Sequence, residues 1–412
     1  MPREESLKLT CFLCLFFVLA SSFVLRPLRD EVGIVNGVDN LHWLFTATFI
    51  AIIPMLFLFR YFSSKYSLYQ IIICFYYSII LLLGLFYIGF IYLSSCAFIA
   101  SCFFIFMGVS SMYGASLFWI LMVDSFSMET SKRIFGFIAA GGSLGALFGS
   151  FTSSLMITYF SIQSLIIAAI FFLLMVVFFF QRIIVKVQEE YEDKSKSFGR
   201  RMKQLMLGDF QKTQKSKYFL YIIVFTLLYS SISTVLYFQQ VFFVESEITI
   251  EKNRLLYFSR LDFIINSISI LGQFFITKWF LRKYSLSFTL SFLPIILIVG
   301  FLVMNIKTSL LIISGLIILH KAGNYILLKP AKEILFTGCT QEEKYGMKNF
   351  IDTFIYRGGD AFTGWIFTLL ISLGFGLSFI ALTMIPVVVY WGVIGKKLGE
   401  IQLIKSHIHH EK

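Results

Sequence analysis

The chain has 412 residues, 58% hydrophobic and 18% aromatic, with only 14% charged, whereas a soluble domain carries roughly 25% charged residues. A large water-soluble globule is excluded, because too few polar side chains remain to cover one. The net charge of +12 has its first explanation in the Lys and Arg that hold membrane-protein loops in the cytoplasm, and no separate basic domain points to nucleic acid.

The start, MPREESLKLT followed by an apolar run, imitates a signal peptide. No small-residue cleavage site follows, and charge returns at Arg26 to Glu31, so the segment is read as a retained first span. Cys11 and Cys14 form a CxxC inside that run, where thiols act as small hydrophobes and no metal-ligand partner is near.

A helix needs about 20 apolar residues to cross the hydrocarbon. The sequence supplies such segments at 9–29, 42–59, 69–92, 96–122, 134–157 and 163–181, then at 217–241, 257–281, 287–305, 308–328, 349–373 and 376–395. The predicted organisation is therefore all-α membrane, twelve transmembrane helices in two six-helix halves: bundle 1–181, cytoplasmic linker 182–216, bundle 217–395 and cytoplasmic tail 396–412. The linker is charged and reads first as a surface tether with a topogenic charge, an interfacial helix around Arg200 to Phe210 being the alternative.

With the N-terminus inside, most of the 35 Lys and Arg fall in inner loops and about five fall outside. The expectation is an inner-membrane protein with both termini cytoplasmic. In each half a short charged loop leads into a span opening with a glycine pair, SKRIFGFIAAGGSLGALFG at 131–149 and KYGMKNFIDTFIYRGGDAFTGW at 344–365. Such likeness fits a carrier built from repeated bundles. The plainer reading is that Gly141, Gly142, Gly145 and Gly149 let two helices approach closely.

Ionisable groups inside spans are costly and mark functional candidates. The first span ends in RPLRDE, placing Arg26 and Arg29 at i and i+3 at an outward end, against the charge bias. They either attract an anion, which a guanidinium matches bidentately, or form local salt bridges with Asp30 and Glu31. Arg260 and Asp262, two residues apart in the eighth span, point to nearly opposite helical faces, and Arg260 is the cavity candidate. In the tenth span Lys321 lies too deep to snorkel easily, beside His320 and Asn324 and before the Lys332–Glu333 pair. Asp352, Arg357 and Asp360 of the eleventh fall within an arc of about 140° on an α-helix, which suits either a polar pathway or an ion pair to the tenth span.

No P-loop, HExxH or GxSxG is present, and the histidines lack ligand spacing, so no enzyme, metal site or cofactor is expected. Transport would then draw on a gradient or on exchange.

The stretches RPLRDEVGI (26–34), NLHWLFTATFIA (40–51), KRIFGFIAAGGSLGALFG (132–149) and KPAKEILFTGCTQEEKYGMKNFIDTFIYRGGDAFTGW (329–365) resemble bacterial transporters of the major facilitator superfamily related to the ATP/ADP (NTP/NDP) translocases. Lys332, Glu333, the loop Gln341 to Lys348 and Asp352 resemble the translocase pattern between spans 10 and 11. The chain departs from full ATP/ADP antiporters in its shorter length and in lacking several embedded Lys and Glu positions of the first half. The resemblance implies a transporter of this fold; joined to the cations inside the spans, the expectation is a monomeric alternating-access carrier of a small anionic solute in the lipid bilayer, with nucleotide exchange as one form. Arg26, Arg29, Arg260, Lys321, Asn324 and Arg357 would hold the anion. Asp352, Asp360, Lys332 and Glu333 would serve in coupling or ion pairs. The rivals are a proton-coupled carrier of another organic anion and a non-transporting membrane protein on the same fold.

Overall fold

In lipid every backbone polar group must find its partner inside the protein, which turns long Ile/Leu/Phe runs into helices. The computed structural model describes residues 2–93, 96–126, 128–188, 217–337, 347–348 and 350–410. In chain order the helices are α1 (Pro2–Val35), α2 (Leu41–Lys65), α3 (Leu68–Tyr92), α4 (Ala97–Ser125), α5 (Met128–Tyr159) and α6 (Ser164–Gln188). Then come α7 (Lys217–Glu247), α8 (Glu251–Lys283), α9 (Leu286–Ile306), α10 (Leu310–Leu335), α11 (Tyr356–Ser372) and α12 (Leu377–His410).

Among the described residues, 11 helices are long and apolar enough to cross a membrane. The remaining one, α11, has 17 residues, is preceded by a π turn at Ile351–Ile355, and carries Arg357 and Asp360. The fold is all-α, with the twelve spans read from the sequence.

Two boundaries differ from the sequence reading. Helix α6 runs on to Gln188, into the stretch assigned to the linker, because Ile183 and Ile184 keep its apolar face buried. Helix α12 continues through the expected tail to His410. Leu398 and Gln402 on that extension are buried, and the Tyr218 hydroxyl lies 2.6 Å from Gln402 Oε1 and 2.7 Å from the Leu335 carbonyl. The rest of the linker, with the alternative helix at Arg200–Phe210, and most of the loop 341–348 lie outside the described residues.

The chain divides into two units. The first takes Met1–Gly37, Ile50–Met202 and Ile248–Asn266, so it contains α1, α3 to α6, most of α2 and the first part of α8. Helix α1 packs against α4, α5 and α6. Its contact with α5 depends on glycine. A Cβ on Gly141 would stand 2.5 Å from the Phe12 carbonyl oxygen and one on Gly149 the same distance from that of Ala20. One on Gly145 would collide with the Phe16 backbone. Residues 141, 145 and 149 thus meet 12, 16 and 20 at matched four-residue steps, one turn per step. Close packing is what these glycines do.

The second unit takes Val38–Phe49, Lys203–Glu247 and Ser267–Lys412. Helix α9 packs on α12, and α7 on α10, α11 and α12. Gly359 of α11 sits close to α7, where a Cβ would stand 2.2 Å from the Ser230 hydroxyl. The start of α2 belongs here: Trp365 Nε1 donates to Thr46 Oγ1 at 3.0 Å, and His42 Nδ1 lies 3.2 Å from Thr368 Oγ1.

Spans 8, 10 and 11 each contain a π turn, at Gln273–Thr277, Asn324–Leu328 and Ile351–Ile355. Wider turns of this kind leave carbonyls short of partners. Side chains from α8 serve two of those in α10: Thr277 Oγ1 donates to the Ile326 carbonyl at 2.7 Å and Gln273 Nε2 to that of Tyr325 at 3.4 Å.

Candidate functional site

In the first unit a cluster of charged side chains lies where α1 meets the first part of α8. Pro27 sits inside α1, where a missing N–H loosens the helix one turn back, beside Arg26. The Arg26 guanidinium lies 3.9 Å from the centre of the Phe23 ring, and its Nη1 is 3.5 Å from Asp262 Oδ1. Arg29 pairs with its neighbour Asp30 and lies over Phe104. Glu31, 1% exposed, accepts from Arg254 Nε at 3.0 Å on both oxygens, while Arg254 Nη1 donates to the carbonyls of Ile248 and Thr249 at 3.1 and 2.9 Å.

The local salt-bridge option holds for one of the two arginines. Arg29 does take a local carboxylate. Arg26 instead reaches Asp262, and Glu31 goes to Arg254. Asp262 is buried and Arg260 exposed, the opposite faces expected from their spacing. Arg254 was not singled out in the sequence. The signal was available, since it too is a cation in a stretch that the charge bias leaves poor in cations.

Neighbouring seams are polar but uncharged. Ser154 and Ser259 hydroxyls lie 2.9 Å apart, and Asn266 Nδ2 donates to the Ala146 carbonyl at 3.3 Å. A cavity of about 30 Å³ lies between α1, α3, α4 and α6, lined by Ser21, Ser22, Ser110, Ser111 and apolar groups. It has room for about one water and holds none of the charged residues.

In the second unit Asp360 is buried and accepts from Thr234 Oγ1 at 2.9 Å and from Arg357 Nη1 at 3.4 Å. Lys321 is half-buried in the turn before the π turn of α10, and Asn324 opens that turn. Lys332 meets Asp352 at 3.2 Å, and Lys348 meets Glu333. The polar stripe proposed for Asp352, Arg357 and Asp360 assumed an unbroken α-helix. The π turn at Ile351–Ile355 interrupts that phase. Asp352 is ion-paired to span 10, and Arg357 and Asp360 are paired with each other.

In chemical terms the spans hold guanidinium and ammonium groups, several of them paired with carboxylates.

The backbone resembles several solved transporters. The nucleoside transporter NupG shares 13% identity at a TM-score of 0.62, over 98% of this chain and 99% of that one. A D-xylose–proton symporter shares 10% at 0.63, over 97% of each chain. A bacterial homologue of the iron transporter ferroportin, in its inward-facing state, shares 13% at 0.63, over 97% and 98%. At such identities the likeness establishes the fold. No curated protein matches the chain in sequence. The sequence model of the Major Facilitator Superfamily matches residues 9–328, well over half of the chain, and the protein therefore belongs to that superfamily.

Proposed function

We propose that the protein is a secondary active carrier of a small anionic solute, working by alternating access in an inner membrane with both termini in the cytoplasm. One observation supports the anion above the others. Between Arg26 and Glu31 on α1 and between Arg254 and Asp262 on α8 stand four arginines (26, 29, 254, 260) and three carboxylates (30, 31, 262). Arg260, with an exposed side chain in a spanning helix, makes no ion pair with a described residue. An excess guanidinium inside a membrane span calls for a counter-charge, and a transported anion supplies one.

The finer form is nucleotide exchange of the ATP/ADP type. Its physical basis would be the cost of an emptied cationic site in a low-dielectric interior, which lets the protein relax fastest with an anion bound. Arg26, Arg29, Arg260, Lys321, Asn324 and Arg357 are the proposed solute ligands. Proton-coupled transport of another organic anion is the second reading, favoured by the buried carboxylate of Asp262.

The test is uptake into proteoliposomes of labelled ADP, ATP, inorganic phosphate, a dicarboxylate, and the neutral controls uridine and D-xylose. Saturable uptake of an anion is expected, with affinity reduced about tenfold or more in Arg260→Gln, the loss of one charged hydrogen bond. Uptake confined to the neutral solutes would overturn the anion reading. Dependence on internal nucleotide selects exchange, and abolition by a protonophore selects proton coupling.

A further inference from the structure

One sequence pattern closes a span in each half, RYFSSKYSL at 60–68 and KWFLRKYSL at 278–286. The two corners are built alike. The lysine lies over the ring four residues earlier, Lys65 at 4.3 Å from the centre of Tyr61 and Lys283 at 5.0 Å from that of Trp279. The serine caps the next helix, Ser67 accepting from the Gln70 N–H and Ser285 from that of Phe288, each at 3.3 Å. The shared residues therefore make a turn between two spans.

What the second corner adds is charge. Arg282 stands where the first has Ser64, so Lys278, Arg282 and Lys283 crowd the last residues of α8. Phe280 is buried against Ala322, Ile326 and Leu327 of α10, and the three cations are exposed, as is Trp279 at 53%. Lys278 and Arg282 are i, i+4 neighbours, a like-charge spacing that destabilises a helix unless something neutralises it. From Phe263 to Lys332 the chain has no Asp or Glu, and none of the three cations is in an ion pair with a described residue. Topology explains the sign of these charges. It supplies no counter-charge once the helix is in place. In the turn before them Phe274 and Phe275 are 72% and 76% exposed, which on a membrane span is contact with acyl chains.

We propose that the end of α8 binds an anionic phospholipid, with the phosphate on Lys278, Arg282 and Lys283 and the chains along Phe274, Phe275 and the Trp279 ring. Guanidinium and ammonium groups match a phosphate, and an indole sits at the headgroup level of a bilayer. A soluble phosphate would meet the cations and leave the aromatic face unused. A zwitterionic phospholipid would meet both, but it brings its own cation into the patch. The binding needs only the membrane embedding of the chain, and neither the solute nor its coupling.

The test reads Trp279 in proteoliposomes of the full chain, as the part of the tryptophan fluorescence that Trp279→Phe removes. Phosphatidylglycerol and phosphatidylcholine, each brominated on its acyl chains, are compared as quenchers of that part. A cation near the headgroups is worth about fivefold in affinity, so phosphatidylglycerol should be preferred at least about fivefold. The preference should weaken at high salt and vanish when Lys278→Gln, Arg282→Gln and Lys283→Gln are combined. Equal quenching by the two lipids, or a preference that survives in the triple variant, would overturn the proposal. Excess inorganic phosphate at constant ionic strength should leave the preference in place, and its loss there would assign the patch to a soluble anion instead. Should the triple variant fail to fold, Arg282→Ser, which gives the second corner the serine of the first, decides: the preference should fall about fivefold, and an unchanged one would overturn the proposal. Whether any solute is taken up does not alter these outcomes.

Discussion

Arg254 holds Glu31 by donating its Nε–H to both carboxylate oxygens at 3.0 Å, in a place where Glu31 is 1% exposed. Breaking a buried pair strands one uncompensated charge and costs about 3–5 kcal/mol. Glu31→Gln should therefore lower the melting temperature of the detergent-purified protein far more than an exposed control such as Lys65→Gln. Arg254→Lys should recover little, since one ammonium cannot reproduce the fork that spans both oxygens and two carbonyls. A drop no larger than the control's would show that the pair is solvated.

The glycine seam between α1 and α5 gives a prediction of opposite signs on one helix. Gly145→Leu drives a side chain into the Phe16 backbone, and a well-folded monodisperse protein should not be recovered. At Gly136 a Cβ meets nothing within 4 Å. Gly136→Ala should gain about 0.5–1 kcal/mol of helix stability, visible as a raised melting temperature. Equal behaviour of the two variants would remove the seam from the account.

Span count, helix class and the glycine-mediated approach were legible because each rests on local chemistry: apolar length, charge at the ends, and small residues at four-residue spacing. The pairing of cations with carboxylates was not legible, because it depends on which helices meet. Arg26 lies 236 positions from its partner Asp262 and Arg254 lies 223 from Glu31, and adjacency in sequence favoured Arg29–Asp30 alone. The α12 extension escaped notice for a related reason. Lys396 and Lys397 read as the start of a solvated tail, while the residues that hold it, Leu398 and Gln402, find their partners on other helices.

That extension is testable. Removing residues beyond 397 deletes Leu398 and the Gln402 contact with Tyr218. The truncated protein should be destabilised, and Gln402→Leu, which leaves the Tyr218 hydroxyl its Leu335 carbonyl but takes the Gln402 Nε2–H away from the Ile334 carbonyl, should cost about 0.5–1.5 kcal/mol. Indifference of thermal stability to both would return the segment to a free tail.

The pairs of the second unit differ in burial, and their variants should separate accordingly. Asp352 and Glu333 have side chains 47% and 45% exposed, so Asp352→Asn or Glu333→Gln should change stability by less than about 1 kcal/mol, and less still at high salt. Asp360, with its side chain 7% exposed, also accepts from Thr234, and Asp360→Asn should cost several times more. Thermal melts at low and high salt distinguish the two cases.

The three π turns bear on how the two halves can be compared with each other. Each turn takes up about one residue more than an α turn, advancing the helix phase by about 100° relative to an uninterrupted α-helix. Among the described residues they occur at Gln273–Thr277, Asn324–Leu328 and Ile351–Ile355, all in the second half. A gapless self-alignment of the chain therefore drops out of register at three places. A duplicated ancestor would be recognised only by allowing single-residue insertions there, and each such insertion marks where one copy diverged in helical register from the other.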